Sequence, residues 1–274
     1  MRLRILWIYI WVLLSVGIFS ACNDQPIPTP PKIIVTAPAT PLRIGLSDSA
    51  FALEGLARIA NDLDPGQAAL HFIVGNDQTL LEDLDAGRLD AAIIYSIPEP
   101  EGRWISQVAV DGLIIFTHTG IQLAETGIQE VKALFAGRVA NWSTLNQAEA
   151  LVVIFSREPG SGAGSGFDKL VMGGLPVSAD SLITISEIDM LDSVTNTPGA
   201  IGYGMMGSTE VVATIAIEGN QASPTGTADN SYLLSMPLFL VSLEEPSGDL
   251  QVFLTNLLSE EGQSIIGEKY GRLR

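Results

Sequence analysis

The sequence predicts an α/β protein, because short apolar strands alternate with amphipathic helices from the start of its globular part. Three runs, 42–46, 69–74 and 89–95, have the length and the apolar composition of buried strands. Helical patterns follow the first two runs, and such alternation favours parallel strands covered by helices. A third observation is the order of strand, glycine-rich turn and helix over 151–172, which repeats the pattern in the middle of the chain.

The first residues have the pattern of a secretory leader. Two arginines among the first four residues precede an apolar run, 5–19, that is shorter than the roughly 20 residues of a membrane-spanning helix. The segment 19–22, Phe-Ser-Ala-Cys, resembles a bacterial lipobox, in which the cysteine is acylated and becomes the new N-terminus. We therefore expect a lipoprotein signal peptide over 1–21 and lipidation at Cys22. An uncleaved membrane anchor is the alternative.

Composition narrows the range of partners. Residues 22–41 are rich in proline and predict a semi-extended tether rather than part of a core. Removal of the leader would take two arginines and change the formal net charge from −17 to −19. Such an acidic body is a poor partner for nucleic acid or anionic lipid. The single cysteine excludes an internal disulfide, and no cluster of ligand residues predicts a metal or another cofactor.

The most informative stretch is 151–168, LVVIFSREPGSGAGSGFD. Its apolar start, 151–155, predicts a buried strand, and its glycine-rich turn leads into a helix. Backbone N–H groups at a helix start favour an anion, and Arg157 and Ser161 add further donors. No Gly-Lys-Ser/Thr closes the stretch, so it is not a P-loop, and its glycine spacing fits a dinucleotide fingerprint poorly. A flexible Gly/Ser loop remains the alternative from composition alone.

Helices and strands alternate along the rest of the chain. The other predicted elements are helices at 51–59, 76–87, 128–136, 188–194 and 249–270 and strands at 104–117, 182–185, 200–206 and 232–243. The polar stretch 220–230 is a candidate crossover. His71 and His118 are isolated in apolar strands, and no Ser/His/Asp order with a nucleophile elbow is present.

Several segments together resemble the phosphate-type substrate-binding proteins of ABC importers, which have the type II periplasmic-binding-protein fold. The matching segments are the crossover strand at 108–113, the helix and Asn-Trp pair at 128–142, the Ser-Arg-x-x-Gly-Ser-Gly loop at 156–167, the Thr-Pro-Gly-Ala-Ile-Gly-Tyr signature at 197–203 and the closing helix at 253–263. The resemblance implies two α/β lobes of mixed sheets, with the ligand in the cleft between them. One lobe would be 42–111 plus 231–274, and the other 112–230.

The resemblance also implies a site in which neutral donors and one arginine bind a desolvated oxyanion. The implied ligand-binding residues are Ser47, Asp48, Ser49, Ser96, Arg157, Ser161, Gly162 and Ala163. Two departures from the family pattern stand out. The family usually has threonine where Ala163 stands, and it commonly has an aspartate after the third strand, where residues 95–98 contain no acid. Asp48 is our suggested replacement for that acceptor.

The resemblance predicts an extracytoplasmic, lipid-anchored and monomeric protein. It would bind phosphate or a related tetrahedral oxyanion and deliver it to the membrane permease of an ABC importer, without catalysis. One alternative keeps the fold but makes the protein a sensor or adhesion lipoprotein with a degenerate cleft. A second is an enzyme that uses Asp48, Asp111 or Glu158 as acid or base. A purely structural Arg157, paired with Glu158 or another acid, is the alternative for the loop.

Overall fold

The computed structural model describes residues 40–63, 68–95, 102–209 and 214–273. The predicted leader and Cys22 lie outside the described residues, and so does Ser96. Within the described ranges, no helix is both long enough and apolar enough to cross a membrane.

Strands and helices alternate along the described chain, which confirms the predicted α/β class. The strands are β1 Leu42–Ser47, β2 Leu70–Gly75, β3 Ala91–Ile94, β4 Trp104–Thr117, β5 Glu125–Thr126, β6 Val153–Arg157, β7 Leu182–Thr184, β8 Ala200–Met205, β9 Thr214–Ile217 and β10 Ser235–Ser242. The helices are α1 Leu53–Asn61, α2 Asp77–Asp85, α3 Ile128–Phe135, α4 Gly162–Phe167, α5 Glu187–Asn196, α6 Pro224–Ala228, α7 Gly248–Leu258 and α8 Glu260–Ile266. A wider helical turn, Asp168–Met172, continues α4.

The strands form one curled, mixed sheet with the order β2-β1-β3-β10-β4-β8-β6-β7. β1 pairs in parallel with β2 and β3, and β10 runs antiparallel between β3 and β4. We call β1, β2, β3 and β10 half-sheet 1. β8, β6 and β7 are parallel neighbours, and β9 pairs with β4 and β5. We call β5, β6, β7, β8 and β9 half-sheet 2.

β4 joins the two half-sheets by changing its partner in the middle. Its residues from Trp104 to Gly112 pair with β10, and those from Leu113 to Thr117 pair with β8. Asp111 and Gly112 therefore lie where the chain passes from one half-sheet to the other. The lobe boundaries stay a prediction. One predicted boundary lies between Asp111 and Gly112, next to the point where β4 changes its partner.

A cluster of three aromatic rings packs α3 and α4 against β8. The Phe167 and Tyr203 rings are stacked at 3.9 Å between centroids, and the Phe135 ring lies 4.5 Å from Phe167. All three side chains are buried. Aromatic pairs add about 0.5–1.5 kcal/mol beyond the burial of their area. The cluster therefore fixes the glycine-rich helix α4 on the sheet.

Some boundaries and faces differ from the sequence prediction. Leu151 is 70% exposed, because the buried strand begins two residues later, at Val153. The helix predicted at 51–59 begins at Leu53 and buries Leu56, Ala57 and Ala60, whereas Ile59 is 55% exposed. The short strands β5 and β9 were missed. The stretch 220–230 contains the short helix α6 rather than only turns.

Candidate functional site

Arg157 is the last residue of β6, where it enters the interior between the two half-sheets. Its side chain is fully buried. The Tyr203 hydroxyl accepts a hydrogen bond from the Arg157 backbone N–H at 3.0 Å and shares another with the Ser156 hydroxyl at 3.0 Å. The aromatic cluster therefore holds the end of β6 as well as α4. This places the guanidinium in a fixed position.

The guanidinium of Arg157 bridges two carboxylates from different parts of the fold. Its Nη2 donates to Asp48 Oδ2 at 2.5 Å, and its Nη1 donates to Glu187 Oε2 at 3.1 Å. Nη1 also lies 3.3 Å from the hydroxyl oxygen of Ser49, which accepts a hydrogen bond from it. In the alternative interpretation, Arg157 pairs with Glu158 or another acid. Arg157 does pair with acids, but they are Asp48 and Glu187 rather than Glu158. Nε of Arg157 is buried without a partner among the described residues.

The turn after β1 supplies the side chains that face Arg157 from half-sheet 1. Asp48 and Ser49 belong to a short 3-10 turn, Asp48–Ala50, and both are buried. Besides accepting from Arg157, the Ser49 oxygen accepts a hydrogen bond from the Ala163 backbone N–H at 3.4 Å. The hydroxyl of Ser47 is buried without a partner among the described residues. Although Ser47 directly precedes the 3-10 turn, its side chain makes no capping hydrogen bond.

Glu187 is a site residue that the sequence prediction missed. It is the first residue of α5, and its Oε1 accepts hydrogen bonds from the Met205 backbone N–H at 2.8 Å and from the Thr209 hydroxyl at 3.3 Å. A β-carbon at Gly204 would lie 1.9 Å from Oε1, so only glycine leaves room for this carboxyl group. The Pro-Gly-Ala-Ile-Gly-Tyr-Gly pattern signals a close approach there, but it does not identify what approaches.

Burial decides the ionisation of the two acids on Arg157. Burial raises the pKa of Glu187 to about 8, although the charge of Arg157 and the Met205 hydrogen bond act in the opposite direction. The pKa of Asp48 is also raised by burial, while Arg157 and the Glu187 backbone N–H lower it. The two acids share one positive charge, and each makes ionisation of the other less favourable. Burial therefore favours the protonated form of Glu187 at neutral pH, next to the positive charge of Arg157.

The glycine-rich loop contacts the start of α2 as well as the turn after β1. The Asn76 side-chain amide donates to Glu158 Oε1 at 2.9 Å and to the Pro159 carbonyl at 3.1 Å. A β-carbon at Gly162 would lie 2.8 Å from Asp77 Oδ2 and 2.7 Å from Tyr95 Cδ2, so the lack of a side chain allows this packing. Asp77 was not predicted as a site residue, although it follows β2 as Asp48 follows β1.

Asp111, considered above as a catalytic acid or base, is fully buried where β4 changes its partner. Its carboxylate accepts hydrogen bonds from the Tyr95 hydroxyl at 2.6 Å and from the backbone N–H groups of Gly112 and Gly207 at 2.7 and 2.9 Å. Burial raises its pKa to about 6, against the effect of these three donors. The arrangement joins three segments of the chain and leaves the carboxylate no exposed face for a substrate.

The structure brings most of the predicted ligand-binding residues together. Asp48 and Ser49 contact Arg157, Ala163 contacts Ser49, and Ser47 directly precedes Asp48 in the same turn. Ser161 caps α4 by accepting from the Gly164 backbone N–H at 3.1 Å, and Gly162 is the first residue of that helix. Ser96 lies outside the described residues. Among the described residues, no group of three or more His, Cys, Asp or Glu side chains is arranged to hold a metal ion.

Comparisons with known proteins identify the family. The sequence model of the PBP superfamily domain matches residues 67–261. This chain belongs to the PBP superfamily, and the resemblance found in the sequence is confirmed at that level.

The curated relatives that match are phosphate-binding proteins. The phosphate-binding protein PstS of Bacillus subtilis is 26% identical over 166 residues, which cover 58% of this chain and 54% of the relative. The phosphate-binding protein PstS 2 of Streptococcus agalactiae is 31% identical over 139 residues, which cover 46% of each chain. The chain thus aligns with about half the length of these relatives.

Solved structures show the same two-lobed fold. A Clostridium perfringens protein, described as a phosphate ABC transporter substrate-binding protein with bound phosphate, has a TM-score of 0.79 at 22% identity, over 86% of this chain and 100% of that chain. An ABC-type phosphate transport receptor from Vibrio cholerae has a TM-score of 0.67 at 22% identity, over 85% and 99% of the two chains. At this identity the likeness defines the fold.

Proposed function

We propose that the protein is an extracytoplasmic receptor that binds phosphate or a related tetrahedral oxyanion and delivers it to an ABC importer. The observation that carries the proposal is the position of Arg157, a fully buried cation at the start of a glycine-rich loop. It faces the Ser49 hydroxyl and the Asp48 carboxylate of the turn after β1. The relatives named above are phosphate-binding proteins and transport receptors, which supports binding and transport rather than catalysis.

The proposed binding surface is formed by both half-sheets. Half-sheet 1 contributes Ser47, Asp48 and Ser49, and half-sheet 2 contributes Arg157 and the start of α4. A desolvated arginine and neutral N–H and O–H donors are the groups that bind an oxyanion strongly, because charge-assisted hydrogen bonds are about twice as strong as neutral ones. Ser96, which follows β3, is proposed as a further donor from half-sheet 1.

We also propose that Cys22 carries the lipid anchor and that the proline-rich segment 22–41 holds the binding domain away from the membrane as a monomer. The lipobox-like segment before Cys22 supports the anchor. In a polyproline II conformation, at about 3.1 Å per residue, the tether would reach on the order of 50–60 Å. The membrane partner would be the permease of the importer.

A second function is favoured by one specific observation. The guanidinium of Arg157 already has Asp48 and Glu187 as partners, as expected of a degenerate cleft in a sensor or adhesion lipoprotein. Calorimetric titration of the purified protein with phosphate, sulfate, molybdate and arsenate distinguishes the two functions. Saturable binding of one of these anions supports the receptor, and no heat of binding with any of the four supports the degenerate cleft.

A further inference from the structure

The Asp48 carboxylate has the contacts that a bound oxyanion would need. It accepts from the Arg157 guanidinium at 2.5 Å, from the Ser49 hydroxyl at 3.4 Å and from the backbone N–H of Glu187. A guanidinium, a hydroxyl and a backbone N–H at the start of a helix are the donors that favour an anion. Asp48 therefore occupies donors of Arg157 and Ser49, two residues that we assign to the ligand.

The three members of the cluster differ in their access to solvent. The side chains of Arg157 and Glu187 are 0% exposed, whereas that of Asp48 is 11% exposed. Glu187 is also held by Met205 and Thr209, in addition to Arg157. Asp48 is thus the outer partner of the arginine, and Glu187 is the inner one. If the Asp48 side chain turned away, Arg157 would keep the Glu187 carboxyl group as a partner.

Two buried polar atoms, one in the cluster and one in the turn after β1, have unused hydrogen-bonding capacity. Nε of Arg157 and the hydroxyl of Ser47 have no partner among the described residues. A buried donor without a partner costs about 1–3 kcal/mol. A ligand with several oxygen atoms is able to satisfy more of these donors than the two oxygens of Asp48.

From these observations we propose that Asp48 is a built-in competitor, whose carboxylate must leave Arg157 before an oxyanion binds there. This proposal rests on the proposed function. The competition follows from charge, because one guanidinium faces Asp48 and Glu187, with Glu158 adding a third acid near Asp48. The apparent affinity for the oxyanion equals its intrinsic affinity multiplied by the fraction of molecules in which Arg157 is released from Asp48. Asp48 thus sets the phosphate concentration at which the receptor fills.

The test is calorimetric titration with inorganic phosphate of wild type, Asp48→Ala and Asp48→Asn. Loss of the competing carboxylate should tighten phosphate binding about tenfold or more, the range of one charge-assisted hydrogen bond. The asparagine variant keeps the size of the side chain and carries the comparison if the alanine variant is unstable. Asp192→Asn is the matched control, because Asp192 lies on α5 with Glu187. Among the described residues, it forms no hydrogen bond or ion pair with Arg157. It should change the affinity by less than about threefold.

The outcomes separate this proposal from the function on which it rests. Tighter binding in both Asp48 variants, without a change in the control, supports the competitor. Unchanged or weaker phosphate binding in these variants, with a wild type that binds phosphate, overturns the competitor and leaves the receptor function intact. Weaker phosphate binding with a gain in sulfate binding would identify Asp48 as an acceptor for the proton of phosphate. If neither the wild type nor any variant binds phosphate, sulfate, molybdate or arsenate, both proposals are overturned.

Discussion

The hydroxyl of Tyr203 accepts a hydrogen bond from the backbone N–H of Arg157 at 3.0 Å, which links the Pro-Gly-Ala-Ile-Gly-Tyr segment to the glycine-rich loop. The same ring stacks on Phe167 of α4. One side chain thus holds both ends of the loop. The position of the guanidinium depends on this residue, although Tyr203 itself is not among the proposed ligand contacts.

Tyr203→Phe should keep the ring stack and lose the hydroxyl. We expect a loss of about 1 kcal/mol of stability, because a buried N–H is left unpaired, and a several-fold weaker phosphate affinity. Tyr232→Phe is the matched control, since its hydroxyl donates to the Leu113 carbonyl at 2.7 Å, away from the loop. Urea unfolding and calorimetry measure the two effects. Equal phosphate affinity in both variants would show that Tyr203 does not position Arg157.

Arg157→Ala should abolish most of the phosphate affinity. Loss of a desolvated charge-assisted contact of about 1.5–3 kcal/mol corresponds to roughly tenfold to a few hundredfold weaker binding. Arg157→Lys should recover only part, because the planar fork of donors is lost. Arg43→Ala, which breaks the half-exposed ion pair with Asp90, is the control. A lowered melting temperature with intact affinity would mean that Arg157 is only structural.

The raised pKa of Glu187 predicts a pH dependence of stability. The folded state holds this proton up to about pH 8, whereas a glutamate in the unfolded chain loses it near its ordinary pKa of 4.5. Stability should therefore fall as pH rises from about 5 to 8, because the folded state binds the proton more tightly in this window. Glu187→Gln resembles the protonated acid, so its loss of stability over this range should be roughly 1–3 kcal/mol smaller.

Thermal or urea unfolding at several pH values measures this difference. Asp111→Asn serves as a control that acts over another pH range. Because the pKa of Asp111 is about 6, its contribution to the pH dependence of stability should end near pH 6. Parallel stability curves for wild type and Glu187→Gln between pH 6 and 8 would contradict the assignment.

Two glycine substitutions test the packing of Glu187 against β8. In Gly204→Ala the new methyl group would meet Glu187 Oε1, so we expect a loss of about 1–3 kcal/mol of stability. Gly55→Ala, at a position of α1 with no neighbouring atom within 4 Å of a new methyl group, should instead gain about 0.5–1 kcal/mol. Chemical unfolding compares the pair. A neutral Gly204→Ala would mean that the carboxyl group is free to move.

Cys22→Ser should release the protein from the membrane fraction, because the thiol that is acylated is removed. Cell fractionation and the size of the processed chain provide the measurement. Ser20→Ala, which leaves the cysteine in place, should stay in the membrane fraction. A Cys22→Ser protein that is processed and membrane-bound like the wild type would exclude lipidation at this residue.

The sequence was most informative where local patterns decide the structure. The bounds of β4, Trp104–Thr117, agree with the prediction, since a long apolar strand is a local signal. The strand, turn and helix around Arg157 were also predicted. The partners of Arg157 were only partly predictable, because Glu187 approaches from 30 residues further along the chain through the packing of α5 on β8. β5 and β9 escaped prediction because both are very short.

The position of β10 sets the order in which the sheet is able to form during synthesis. β10 lies between β3 and β4, yet its first residue, Ser235, is made long after both. Until it arrives, β3 and β4 each have an open edge on the side that β10 later fills, while all five strands of half-sheet 2 have already been made. A chain that stops before Ser235 therefore exposes two unpaired apolar edges, which invite pairing with other chains. Completion of half-sheet 1 depends on the residues from Ser235 onward.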